Sequence, residues 1–169
     1  MSKILLSASH IVQYFGERKI LEFEKLHVYE GDRIGIVGAN GAGKTTLLNI
    51  LSGELIPDEG TVIRKVPVSY FRQFRKQVER ADPQKCREPG LSGKLSREHL
   101  SGGEMTRLGL AAMKKDSLLT FADEPTANLD AEGVELCCRM LEQCPTLLLI
   151  SHDRAVLNRL CTRIIEVKD

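Results

Sequence analysis

Short apolar runs separated by amphipathic stretches predict an α/β fold, with a mostly parallel core sheet covered by helices, an antiparallel β layer and a short helical subdomain. Three observations carry that expectation. Compact apolar runs recur at residues 33–37, 118–122, 146–150 and 163–167, among helical patterns at 43–52, 101–115, 130–143 and 153–161. Further alternating or short apolar runs at 4–12, 19–28 and 61–70, with turn signals such as Glu30-Gly31-Asp32 between them, read as strands of the antiparallel layer. Between Arg72 and Leu100 the chain becomes polar and is punctuated by Pro and Gly, which predicts an exposed subdomain.

The length of 169 residues fits one domain, with a core at 1–73 and 118–169 and the reduced helical subdomain at 74–117. Apolar residues at 42% and charged residues at 28% are ordinary for a globular protein. A net charge of +1 gives no global attraction to nucleic acid or anionic lipid, so any such partner must be recognised locally. Five cysteines with no CxxC spacing suggest neither a disulfide framework nor a zinc site and read as mostly buried small hydrophobes. No apolar run approaches the length of a membrane helix or a signal-peptide core, so the expectation is a soluble, cytoplasmic protein with no membrane insertion.

Residues Gly38-Ala39-Asn40-Gly41-Ala42-Gly43-Lys44-Thr45 fit the pattern GxxxxGK[ST], directly after the apolar strand RIGIV and directly before the helical TTLLNILSG. Glycines let backbone N–H groups curl around phosphates, and the helix N-terminus adds about half a positive charge. Lys44 would neutralise the β- and γ-phosphates and Thr45 would ligate Mg²⁺. The apolar strand that ends in Asp123 and Glu124 would place both acids at a carboxyl strand end, where ligands bind in open α/β sheets. Asp123 is expected to hold Mg²⁺ through water and Glu124 to polarise the attacking water. His152 follows another apolar strand, again at a carboxyl end, where an imidazole could reach a γ-phosphate. Beside it, Asp153 suits the N-cap of the next helix, which would be a structural reason for the same segment.

Ser101-Gly102-Gly103-Glu104 forms a capping box at the start of a helical pattern. The same capped, glycine-bared helix start could bind the γ-phosphate of a nucleotide held by another domain. Taken in order, GANGAGKTT, Gln73, LSGGE, DEPTANLD and SHD make the chain similar to ABC-type ATP-binding domains over essentially its whole length. That resemblance implies binding and hydrolysis of ATP with Mg²⁺. It assigns Gln73 to linking Mg²⁺ and water to the subdomain, and residues 127–130 to touching a partner domain. Thr46 belongs to the phosphate loop's helix start, and Phe15 stands where the family stacks an aromatic on adenine, with Tyr14 as the alternative.

Within the family the chain most resembles the ABC-F class, through GANGAGKTTLLNILSGELIPDEG, LSGGEMTRLGLA and SHDRAVLNRLCTRIIEV. The resemblance implies the N-terminal one of two ATP-binding domains, a second ABC domain as partner in the same full-length chain or in a homodimer, and action on the ribosome. The short interval 74–100 is similar to ABC-F proteins that protect ribosomes from antibiotics. The energising subunit of a membrane transporter is the alternative. The basic cluster Arg72, Arg75, Lys76, Arg80, Lys85 and Arg87 could meet ribosomal RNA through phosphate contacts or simply be solvated surface. Thr120 interrupts an otherwise apolar strand before the acids.

Overall fold

The computed structural model describes residues 3–72 and 117–168. The helix expected at 101–115, the subdomain boundaries, Gln73, Ser101, Gly102, Gly103, Cys86 and all of the basic cluster but Arg72 lie outside those residues.

A three-stranded antiparallel sheet has the order β2-β1-β4. Its strands are β1 (Ile4–Phe15), β2 (Arg18–Tyr29) and β4 (Glu59–Arg64). A five-stranded parallel sheet runs β5-β6-β7-β3-β8. It is built from β3 (Arg33–Val37), β5 (Val68–Arg72), β6 (Leu119–Asp123), β7 (Leu147–Ile150) and β8 (Arg163–Glu166). The described helices are α1 (Lys44–Ser52), α2 (Ala131–Glu142) and α3 (Arg154–Leu160). Both layers of the expected α/β architecture are therefore present.

One expectation needs correction. The run 61–70 does not form a single strand of the antiparallel layer: β4 pairs with β1, whereas β5 pairs in parallel with β6 in the other sheet. The break falls at Pro67, which lacks an N–H for a ladder and restricts Val66 before it.

Alternation along the parallel strands sorts the core onto two faces. Ile34, Ile36, Phe121, Leu148 and Ile150 join Leu5, Leu6, Ile11 and the α1 residues Leu47, Leu48 and Leu51 between the two layers. Ala122, Leu147 and Leu149 face the other way, against Cys137, Cys138 and Leu141 of α2 and Val156, Leu157 and Leu160 of α3. Burial raises the thiol of Cys137 to about 12 and that of Cys161 to about 11; Cys137 and Cys138 are buried as expected, whereas Cys144 and Cys161 are half-buried.

Charged side chains close the helix ends. Arg64 of β4 donates to the carbonyls of Leu51 (2.7 Å) and Ile50 (2.7 Å) at the end of α1. Arg33 donates to Leu160 O (2.6 Å), Cys144 O (2.8 Å) and Leu141 O (2.9 Å), so one guanidinium ties together the ends of α2 and α3. A cation at a helix C-terminus satisfies orphan carbonyls and opposes the negative end of the dipole. Asp130 and Asp153 cap the starts of the same two helices, Asp153 through Ala155 N at 2.7 Å. Thr120 is 2% exposed and its hydroxyl meets the thiol of Cys144, so its polar group is partnered inside the core.

Candidate functional site: a cleft at the carboxyl ends of the parallel strands

β3 delivers the chain into the phosphate loop and α1 carries it away. Gly38 has φ 150°, and a Cβ there would lie 2.3 Å from the carbonyl oxygen of Val167, where the chain leaves β8. The first glycine of the motif is thus required by a close crossing of backbone. Gly43, at φ 98°, precedes α1 without a side-chain cap from the described residues, and the first turn of α1 holds no acid. The helix's free N–H groups and positive dipole end therefore remain available for an anion. Lys44 is 8% exposed, and its Nζ donates to Gly38 O at 2.9 Å and Ala39 O at 2.7 Å. The ammonium is already held over the loop that would enclose a phosphate.

Across the loop, Thr45 Oγ1 donates to Asp123 Oδ2 at 2.8 Å, joining the start of α1 to the end of β6. Glu124 follows at φ 47°, a left-handed conformation costly for a side chain with a Cβ. Its N–H donates to Ile150 O at 3.0 Å, which holds the strained residue against the end of β7. Glu124 Oε1 lies 3.3 Å from His152 Nε2, close enough for ionic attraction. The oxygen is nevertheless buried without an aligned hydrogen-bond donor among the described residues. Burial pushes the Glu124 carboxyl above its ordinary range; attraction to His152, a hydrogen bond from the His152 backbone N–H and the charge of Lys44 oppose that shift, and Asp123 adds to it. A partly desolvated carboxylate with an unfilled lone pair suits the work of orienting a proton donor such as water.

These groups line one cleft of about 420 Å³, a volume in the range of ligand pockets. Asn40, Gly41, Gly43, Lys44, Thr45 and Thr46 supply one wall, and Asp123, Glu124 and His152 supply the opposite end. Phe15, 58% exposed, stands at the mouth, and Tyr14 is not among the lining residues. Gly38 and Ala42 shape the loop without lining the cleft, Ala42 being buried in the core. Two lining residues went unanticipated in the sequence. Ile20 enters because the β1–β2 register shifts between Gln13 and Tyr14, and Ile150 enters as the last residue of β7. The position of Ile150 just before the anticipated His152 segment was the available signal. For Ile20 there was none, because a bulge is not visible in a single strand.

A family model described as ABC transporter matches residues 22–96. Over 96% of its length the chain is 34% identical to ATP-binding protein Uup of Caulobacter vibrioides, covering 32% of that protein. It is 30% identical to Ribosome protection protein VmlR of Bacillus subtilis over 99% of its length and 32% of VmlR. The chain thus spans about a third of the curated relatives it matches. In fold it is similar to the ATP-binding cassette MJ0796, solved as a dimer in a post-hydrolysis state bound to ADP and Pi. The TM-score is 0.70 at 21% identity, covering 96% of this chain and 94% of the other. The chain belongs to the ABC-type ATP-binding domains. Within them its relatives are proteins of the ABC-F type.

Proposed function

We propose that this chain is the N-terminal ATP-binding domain of an ABC-F protein that acts on the ribosome, with antibiotic resistance by ribosomal protection as the biological role. The observation that carries the catalytic part is the convergence of the glycine loop, the Thr45–Asp123 contact and the Glu124–His152 pair in one cleft. The ribosomal part is supported by relatedness to a protein named for ribosome protection.

In this reading the phosphates of ATP lie on the loop and the start of α1, neutralised by Lys44. Thr45 and Asp123 offer two oxygen groups from adjoining elements. This limited set suits Mg²⁺, which keeps waters and substrate phosphates in its shell. Bound Mg²⁺ would supply charge neutralisation at the phosphates. Glu124 orients the attacking water, and His152, beside it, reaches toward the terminal phosphate. Gln73 completes the link to the metal, and Phe15 stacks on the base. Ser101, Gly102 and Gly103 face a nucleotide held by a second ABC domain, in the same protein or in a second copy. ATP binding then closes two domains on each other and hydrolysis releases them, timing residence on the ribosome. Alone, the domain turns ATP over weakly.

Turnover measured against protein concentration tests the composite site. A rise steeper than linear, abolished by Glu124→Gln, is expected if copies pair to complete each other's sites. Turnover that is strictly proportional to concentration and unchanged by the substitution overturns the assignment. For the cellular role, the two-domain protein bearing Glu124→Gln should co-sediment with ribosomes in ATP; recovery with membranes instead would favour the transporter reading.

A further inference from the structure

We infer that Asp58 is a positioning residue for the nucleotide base, because its carboxylate fixes the end of β1 and so sets where Phe15 stands over the cleft. This rests on the proposed reading of Phe15 as the base platform. Neither the phosphate chemistry nor the partner domain enters into it.

β1 is flanked by β2 on one side and β4 on the other, but the last β1–β4 pair is Val12↔Glu59. Phe15 lies three residues further on and, among the described residues, is paired only with Arg18 of β2. The β1–β2 register also shifts between Gln13 and Tyr14. A bulged strand end with a single neighbour is poorly held by its ladder, yet this one must present an aromatic ring at a defined height.

Asp58, the residue before β4, replaces the missing neighbour. Its Oδ2 accepts from Tyr14 N at 2.7 Å and from Gln13 Nε2 at 2.7 Å, and the same Nε2 reaches Tyr14 O at 3.0 Å. Gln13 is 4% exposed, so the amide is held inside the fold. Its orientation is determined, because turning the amide over would set its oxygen against a carboxylate and a carbonyl. Gln13 Oε1 is consequently buried without a donor among the described residues. A side chain retained at that cost serves the clamp on Tyr14 more than it serves packing. Phe15 follows immediately and takes its position from the clamped backbone.

Binding of Mg-ATP and of Mg-tripolyphosphate, which has no base, separates positioning from general damage. Phe15→Ala should weaken ATP about tenfold and leave tripolyphosphate unchanged, as expected for loss of a stacking platform. Asp58→Ala should weaken ATP about fivefold with tripolyphosphate again unchanged, and should add nothing in the Phe15→Ala background, since the two act through one contact. Asp58→Asn keeps an acceptor for Tyr14 N, guards against a folding defect and should fall between Asp58→Ala and wild type. Equal weakening of both ligands by Asp58→Ala, or full ATP affinity in that variant while Phe15→Ala is impaired, overturns the positioning role and leaves the platform standing. Unchanged ATP affinity in Phe15→Ala removes the platform and the inference with it.

Discussion

Replacing Glu124 by glutamine should do two opposite things to the same molecule. The substitution keeps the shape and removes the charge from a side chain that is 21% exposed, whose Oε1 is buried with no aligned donor among the described residues and lies 3.3 Å from His152 Nε2. As a general base, Glu124 is expected to account for about 10²- to 10⁴-fold in turnover, so hydrolysis should fall by at least about a hundredfold. As a partly desolvated charge, it opposes folding, so the uncharged variant should melt higher at neutral pH, by about 2–4 °C for each kcal/mol relieved.

The pH dependence sharpens the test. Folding raises the Glu124 carboxyl above its ordinary 4.5, with burial the largest cause. A raised carboxyl favours the folded state while it is protonated and withdraws that support as pH rises through its shifted value. Wild type therefore approaches the glutamine variant in stability at acid pH and falls behind it above the shifted pKa. Paired thermal melts between pH 4.5 and 8, beside phosphate-release assays, measure both effects. A stability gap that is flat across this range, or a wild type more stable than the variant at pH 8, refutes the account of a desolvated carboxylate.

Two structural substitutions test the frame around the site. Gly38→Ala places a methyl group against Val167 O at a φ few side chains adopt, and should cost about 2 kcal/mol or more in urea denaturation while weakening phosphate binding. An unchanged urea midpoint would mean that the crossing of β8 over the loop is not tight. Arg33→Met removes one guanidinium from three carbonyls; with water able to reach part of the site, the expected loss is about 2–4 kcal/mol, and a loss below about 1 kcal/mol would show that the helix ends are satisfied without it.

The parts legible in the sequence are those whose signals are local. The glycine loop sits between a buried strand and a helix, and Asp123 and Glu124 lie at a strand end, because period-2 runs and glycine spacing are written within a few residues. The Asp153 cap was likewise readable from its place before the helical pattern. The division of 61–70 was obscured because either sheet accepts the same short apolar runs, and the partner of β5 lies about fifty residues away. Pro67 was the one local clue. Arg33 reads as an ordinary charged strand start, and only the fold brings the ends of α2 and α3 to it. Thr120 looked like an interruption until the structure set it beside Cys144.

Residues 65–67 are all that separates β4 from β5, and even there Lys65 N is anchored to Leu5 O at 2.8 Å. Four residue steps from Arg64 to Val68 reach about 14 Å at most, so the connection is a strap with little slack. One end belongs to the layer that carries Phe15; the other continues along β5 to Arg72, paired with Asp123. A nucleotide resting on both would close a ring whose remaining circumference is already folded protein. Such a ligand acts as a staple between two sheets that are covalently leashed, and the entropy of bringing its two anchor points together has been met before it arrives.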